Sequence, residues 1–241
     1  MATDSSTHKA TIWFIIGFLI LVVAGVVIAG AYSSLSSSGS GTTVPAGFVA
    51  TTVAAVTSTD WTMGDASSSV SVIEYGDYEC PACGEYNPVV KQLITNYGNH
   101  VLFVFREFPL YTIHPNAGVS AEAAEAAGLQ GKFWEMHDLL YANQNTWPTK
   151  DPKQVTAQYF NGYAQSLGLN VAKFDSDMNS TQVADKIAAD VTSGNAANID
   201  HTPTFFVNLK QIPNPMDYAG FKSVLDAALA SSTATTSAVS R

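Results

Sequence analysis

The chain holds only two cysteines, Cys80 and Cys83, and they stand at a seam in its hydrophobic pattern. Before them, Val70 to Tyr75 (VSVIEY) is short, rich in β-branched residues and closed by Gly76, which predicts a strand with Val70, Val72 and Glu74 on one face. After them, Tyr86, Val89, Val90, Leu93, Ile94 and Tyr97 recur at helical spacing up to Gly98, where a C-terminal cap is expected. A strand thus delivers two thiols to the start of a helix. Pro81 suits the first helical turn, whereas Pro88 falls inside the helix and predicts a kink.

The pattern continues as an α/β chain. Val101 to Phe105 (VLFVF) is apolar on both faces, as a central covered strand would be. From about 115 to 199 only helical patterns occur: an Ala-rich run over 117–127, then Phe133 to Tyr141, then Val155, Tyr159, Tyr163 and Leu167, then Val183, Ile187 and Val191. Strand character returns at Phe205, Phe206 and Val207 after Pro203, and Phe221, Leu225 and Leu229 mark one face of a last helix. The expected order is strand, helix, strand, helical insertion, strand, helix.

Outside this unit, Ile12 to Ala31 is an uncharged, mostly apolar run, long enough as a helix to cross the roughly 30 Å of a bilayer's hydrocarbon core. Residues 1–11 then form a short cytoplasmic N-terminus, 12–31 a transmembrane anchor and 32–56 a Ser/Gly/Thr/Ala linker. A folded domain spans 57–230, and the Ser/Thr/Ala-biased tail 231–241 is expected to be disordered. The alternative is a cleaved export signal, since Ala29-Gly30-Ala31 has the small-x-small form of a cleavage site. Either reading places the domain outside the cytoplasm. Net charge is −9, and no Lys or Arg occurs between Lys9 and Lys91, so a nucleic-acid surface is excluded.

Two cysteines so close staple little, because closing so short a loop removes only about 2 kcal/mol of unfolded-state entropy. A zinc site is the other structural reading, but the five histidines offer no pair at the spacing of a Cys₂His₂ site. The redox reading uses position: Cys80, as N-cap, meets free N–H groups and the positive end of the helix dipole, which favour a thiolate, while Cys83 lies one turn deeper and can resolve a mixed disulfide. Asp77, Glu79 and Glu85 flank the pair and are expected to oppose the dipole by raising the Cys80 pKa. Glu74, on the apolar strand face, is expected to be buried, to have a raised pKa and to exchange a proton with Cys83; on an open face it would be an ordinary strand residue. Thr202-Pro203 precedes a strand, and trans is the default for that bond. His114, Trp134 and His137 read as packing or hydrogen-bonding residues.

The motifs Glu74-Tyr75-Gly76-Asp77-Tyr78-Glu79-Cys80-Pro81-Ala82-Cys83, Phe105-Arg106-Glu107-Phe108-Pro109-Leu110, His114-Pro115-Asn116-Ala117 with Gln130-Gly131-Lys132-Phe133-Trp134, and Thr202-Pro203-Thr204-Phe205-Phe206-Val207 follow in order. On these the chain resembles the DsbA-like branch of the thioredoxin superfamily, particularly its membrane-anchored bacterial members, from about Trp61 to Leu229. The resemblance implies a thioredoxin fold with an inserted helical domain, here preceded by one N-terminal transmembrane helix. It further implies a cis Thr202–Pro203 bond beside Cys80, with the Thr202 backbone pairing to an extended substrate chain. The implied activity is thiol–disulfide exchange without a cofactor, introducing disulfides into exported proteins with free thiols. A membrane quinone-linked partner would reoxidise the pair. A single-pass cell-membrane protein with its catalytic domain outside is the implied setting; a reductase or isomerase, or a non-catalytic binding module, are the alternatives. Asn208 is followed by Leu209 where the family usually has Gly, which predicts a longer or irregular hairpin.

Overall fold

Two parallel strands with alternating faces carry the architecture, and they are joined by the helix that the cysteines open. The computed structural model describes residues 52–148 and 150–239. In chain order these form β1 (Trp61–Gly64), β2 (Ser71–Gly76), α1 (Pro81–Tyr97), β3 (Leu102–Glu107), α2 (Ala117–Gly128) and α3 (Phe133–Ala142). A stretch of α4 (Pro152–Val155), a π-helical segment Thr156–Phe160 and α5 (Asn161–Ser166) comes next. It is followed by α6 (Val171–Met178), α7 (Thr181–Ala196), β4 (Thr204–Val207), β5 (Lys210–Gln211) and α8 (Tyr218–Val239).

The sheet order is β1-β3-β2-β4-β5. β2 and β3 are parallel, with Ser71 opposite Leu102 and Gly76 opposite Glu107, while β1 and β4 flank them antiparallel. Period-2 alternation divides the strand residues. Val70, Val72, Phe103, Phe205 and Val207 pack on α1 and α8 through Val90, Leu93, Phe221 and Leu225. Ile73, Tyr75, Val104 and Phe206 take the other face, with Phe108 and Ile199. Helices α2 to α7 lie between β3 and β4 in sequence, and their core (Phe133, Met136, Leu140, Trp147, Phe160, Phe174) runs into Tyr78, Cys80, Cys83 and Phe105. The cysteines therefore sit where the sheet domain and the helical insertion meet.

Several expectations need correction. β1 and β5 carry too little periodic signal to be read from sequence, and α6 stands in addition to the four helical patterns expected over 115–199. The linker ends earlier than expected: Thr52 bridges to Lys210, Val53 is buried, and the Ala54 and Ala55 carbonyls accept hydrogen bonds from Arg106. Arg106 is itself buried and pairs both its Nε and Nη2 with the Asp60 carboxylate, so burial of a cation fastens the incoming chain. The tail is helical through Val239, because no Gly or Pro follows Gly220 to stop propagation from the docked turns of α8. The hairpin after β4 is tight, not long: Val207 pairs with Lys210, and Asn208 and Leu209 both take positive φ, 49° and 66°. Asn208 Oδ1 accepts the Ser71 N–H, and the Leu209 carbonyl accepts that of Val53, which holds Leu209 in a conformation usual for glycine. The expected anchor (12–31) and the segments 1–11 and 32–51 lie outside the described residues. Among the described residues no helix is long and apolar enough to cross a membrane.

Candidate functional site

Pro81 opens α1 at its first position, and Cys80 stands before it as an extended N-cap (φ −69°, ψ 118°) that no side chain caps. The free N–H groups of the first turn are thus left to the Cys80 sulfur. The two cysteines are unbridged. The Cys80 thiol is held far below its ordinary 9.0, at about 5: the Cys83 thiol donates to it, Thr202 and the backbone N–H groups of Cys83 and Ala82 add to this, and burial opposes. Cys83 is fully buried, and its thiol is pushed well above 9.0 by that burial and then by the neighbouring Cys80. One sulfur favours the thiolate and the other the thiol.

The expected effect of the acidic neighbours is overturned. Asp77 accepts the N–H groups of Glu79 (2.8 Å) and Leu110 (2.9 Å) and hydrogen-bonds His114 Nδ1 (2.7 Å). Glu79 Oε2 accepts the Asn116 N–H, and burial raises its carboxyl above the ordinary value. The groups that shift Cys80 most are the Cys83 thiol, burial, Thr202 and the first-turn N–H groups, and the net direction is downward.

Glu74 lies between Phe105 of β3 and Phe205 of β4. It is 5% exposed, no hydrogen-bond partner meets its carboxyl among the described residues, and burial pushes its pKa up to about 8. Its charge reaches Cys83, whose thiol it helps to raise. The Thr202–Pro203 bond is cis, as the resemblance implied and against the default for the residues alone. The Thr202 carbonyl lies 3.3 Å from Cys80 Sγ, and Asn214 Nδ2 donates to the Pro203 carbonyl, fixing the loop. The structure thus brings Cys80, Cys83, Glu74, Thr202 and Pro203 to one place.

Three further residues complete it: Gln144 and Gly84 carry no sequence signal, and His137, expected as a packing residue, is one. Gln144 Nε2, from a short 3₁₀ turn of the insertion, donates to the Tyr78 (2.8 Å) and Cys80 (2.7 Å) carbonyls and so holds the loop that carries the nucleophile. Gly84 leaves room for it, since a Cβ there would stand 2.4 Å from Gln144 Oε1. His137 is buried among the rings of Tyr78, Phe105, Phe133, Trp134 and Tyr141. Among the described residues no group of His, Cys, Asp or Glu is placed to hold a metal ion.

Residues 56–227 match the Thioredoxin family. The chain belongs to that family. Among curated relatives of this thioredoxin-family protein is Na(+)/H(+) antiporter NhaA 1 of Salinispora arenicola (strain CNS-205), 44% identical over 149 residues that cover 62% of this chain and 22% of the antiporter. The chain thus spans about a quarter of the length of the curated relatives it matches. Solved structures with the same fold include BdbD from Bacillus subtilis, with a TM-score of 0.63 at 23% identity over 76% of this chain and 98% of that one. Another is α-DsbA1 from Wolbachia pipientis, with 0.63 at 20% identity over 75% and 96%. A DsbA-like thioredoxin fold carrying an unequal cysteine pair at a helix N-terminus is a thiol–disulfide oxidoreductase.

Proposed function

We propose that the protein is an extracytoplasmic dithiol oxidase, held at the cell membrane by residues 12–31, which introduces disulfides into exported proteins. The inequality of the two thiols carries this reading. A Cys80 thiolate stabilised at about pKa 5 lowers the free energy of the reduced pair and makes Cys80 the better leaving group, so electrons run from substrate to enzyme.

In the oxidising direction a substrate thiolate attacks Cys80 Sγ of the Cys80–Cys83 disulfide. The enzyme's S–S bond breaks and Cys83 leaves as a thiolate, which takes a proton from Glu74, neutral at pH 7 with its pKa near 8. A second substrate thiolate attacks the substrate sulfur of the mixed disulfide and releases Cys80 as a thiolate. The substrate has lost two electrons and the pair has gained them. The Thr202 backbone, beside Cys80 in the cis-proline loop, is placed to pair with an extended substrate segment. A membrane quinone-linked protein would return the electrons to the membrane. Membrane placement also suits a domain whose counterpart lies in a protein named as an antiporter.

Trapping in cells tests this. Cys83→Ser should accumulate mixed disulfides between Cys80 and exported proteins on non-reducing gels, and Cys80→Ser should not; the reverse pattern would overturn the roles. A reduction potential near that of reducing thioredoxins, rather than well above it, would turn the direction toward a reductase.

A further inference from the structure

Glu74 faces Cys83 on one side, and on the other it lines an internal cavity of ≈10 Å³ together with Val90, Ile94, Phe105, Trp134 and His137. That volume is about what a single water needs, and two polar side chains, Glu74 and His137, border it. Val90, Ile94, Trp134 and His137 also line a cleft of ≈150 Å³ that Lys91, Asp138 and Asn87 share with them. Lys91 and Asp138 are half-exposed and paired at 2.7 Å, so this cleft reaches solvent. His137 is therefore the titratable wall between a buried carboxyl and the surface, away from the face on which substrate meets Cys80.

We propose that His137 is the relay residue of a proton path that connects Glu74 to solvent through one water in the internal cavity and the cleft beside Lys91 and Asp138. The assignment rests on the proton exchange between Glu74 and Cys83 described above. After Glu74 has given its proton to the Cys83 thiolate, the ionised carboxylate takes one back from the cavity water. That water is reprotonated by the imidazole, and the imidazole by solvent in the cleft. Reoxidation of the pair runs the same transfers backwards. Thus the proton released or taken up at Cys83 need not cross the substrate-covered face. Burial lowers the His137 pKa, so the ring is neutral at pH 7 and can donate from one nitrogen while accepting at the other. The other groups that act on this path are Cys80, Cys83, Tyr78 and Tyr141 around Glu74, and Asp138 and Lys91 beside His137.

The test is chemical rescue. The oxidised full-length protein is reduced by dithiothreitol in stopped flow between about pH 5 and 9, with parent, His137→Gln, His137→Ala and Glu74→Gln compared. His137→Ala should slow the step about tenfold, and imidazole, which fits the space joined to the cleft, should restore it with a dependence on the free base. His137→Gln, which keeps most of the volume, should be slowed in the same way with an unchanged melting temperature, and it decides the matter if the alanine variant does not fold. Imidazole should do nothing for Glu74→Gln. Parent-like rates and pH profiles in both His137 variants, or a slow His137→Ala that imidazole leaves slow, would overturn the relay. Parent-like rates in Glu74→Gln would instead overturn the role of Glu74 itself.

Discussion

Replacing Glu74 by Gln should make the protein more stable, and increasingly so as pH rises. The carboxyl has an ordinary pKa of 4.5 and is pushed up to about 8 in the fold, with burial as the cause. A raised acid pKa means that the native state still holds a proton where the unfolded chain has given it up, so the slope of stability with pH is negative in this window. The cost is absent below pH 4.5, grows through the window and is constant above pH 8. At about 1.4 kcal/mol per pH unit it amounts to about 3 kcal/mol at pH 7 and about 5 kcal/mol at its plateau. Gln keeps the shape and never ionises. For a domain of this size that difference corresponds to roughly 10 °C in melting temperature at neutral pH.

The assay is thermal unfolding of parent and Glu74→Gln, both in the disulfide form so that neither thiol titrates, at half-unit steps from about pH 4.5 to 8.5. The other buried acids, Glu107, Glu125 and Asp190, are common to both proteins and cancel in the difference. The two curves should meet near pH 4.5 and diverge upward. A difference that is flat across the range would refute the burial of an unpartnered carboxyl at this position, and with it the proton donor assigned to Cys83.

Three other outcomes follow from the same structure. The lowered Cys80 pKa stabilises the reduced form fully above the unfolded value, and the effect is lost as pH falls through about 5; discounted for solvent at the sulfur, it is worth roughly 2 kcal/mol at pH 7, close to what so short a disulfide loop adds. Calorimetry should therefore find the reduced protein melting at or above the oxidised one at pH 7 and below it at pH 4. Gln144→Ala leaves the Tyr78 carbonyl without its side-chain donor and the Cys80 carbonyl with only the Gly84 N–H, which should cost about 1–3 kcal/mol in denaturant unfolding and change the rate of Cys80 alkylation. Asp60→Asn strands the buried Arg106 cation and should cost about 3–5 kcal/mol in the same assay, whereas exposed pairs such as Lys132–Glu135 should cost less than about 1.

The strand, the cysteine pair and the helix are legible in the sequence because period-2 and period-3.6 patterns meet there without interruption. Glu74 is legible for the same reason: a charged residue in phase with Val70 and Val72 must face the core. Gln144 is not, since it comes from an irregular segment of the insertion where no period marks a side chain as inward, and its partners are backbone groups far away in sequence. His137 is legible only as buried. Its place beside Glu74 arises from the docking of α3 against α1 and β2, which depends on the three-dimensional course of the insertion.

The misreading of Asp77 and Glu79 has a definite physical source. Coulomb's law uses distance and dielectric, and sequence proximity supplies neither. Both carboxylates lie within three residues of Cys80, yet each accepts an N–H group of the loop 108–116, so their negative charge is already met by donors other than the thiols. The donors left facing Cys80 are the Cys83 thiol and the N–H groups of the first turn of α1. A carboxylate next to a thiol in the chain raises that thiol only if nothing nearer binds the carboxylate. Here the loop after β3 binds both carboxylates, and the Cys83 thiol together with the helix terminus outweighs burial at Cys80.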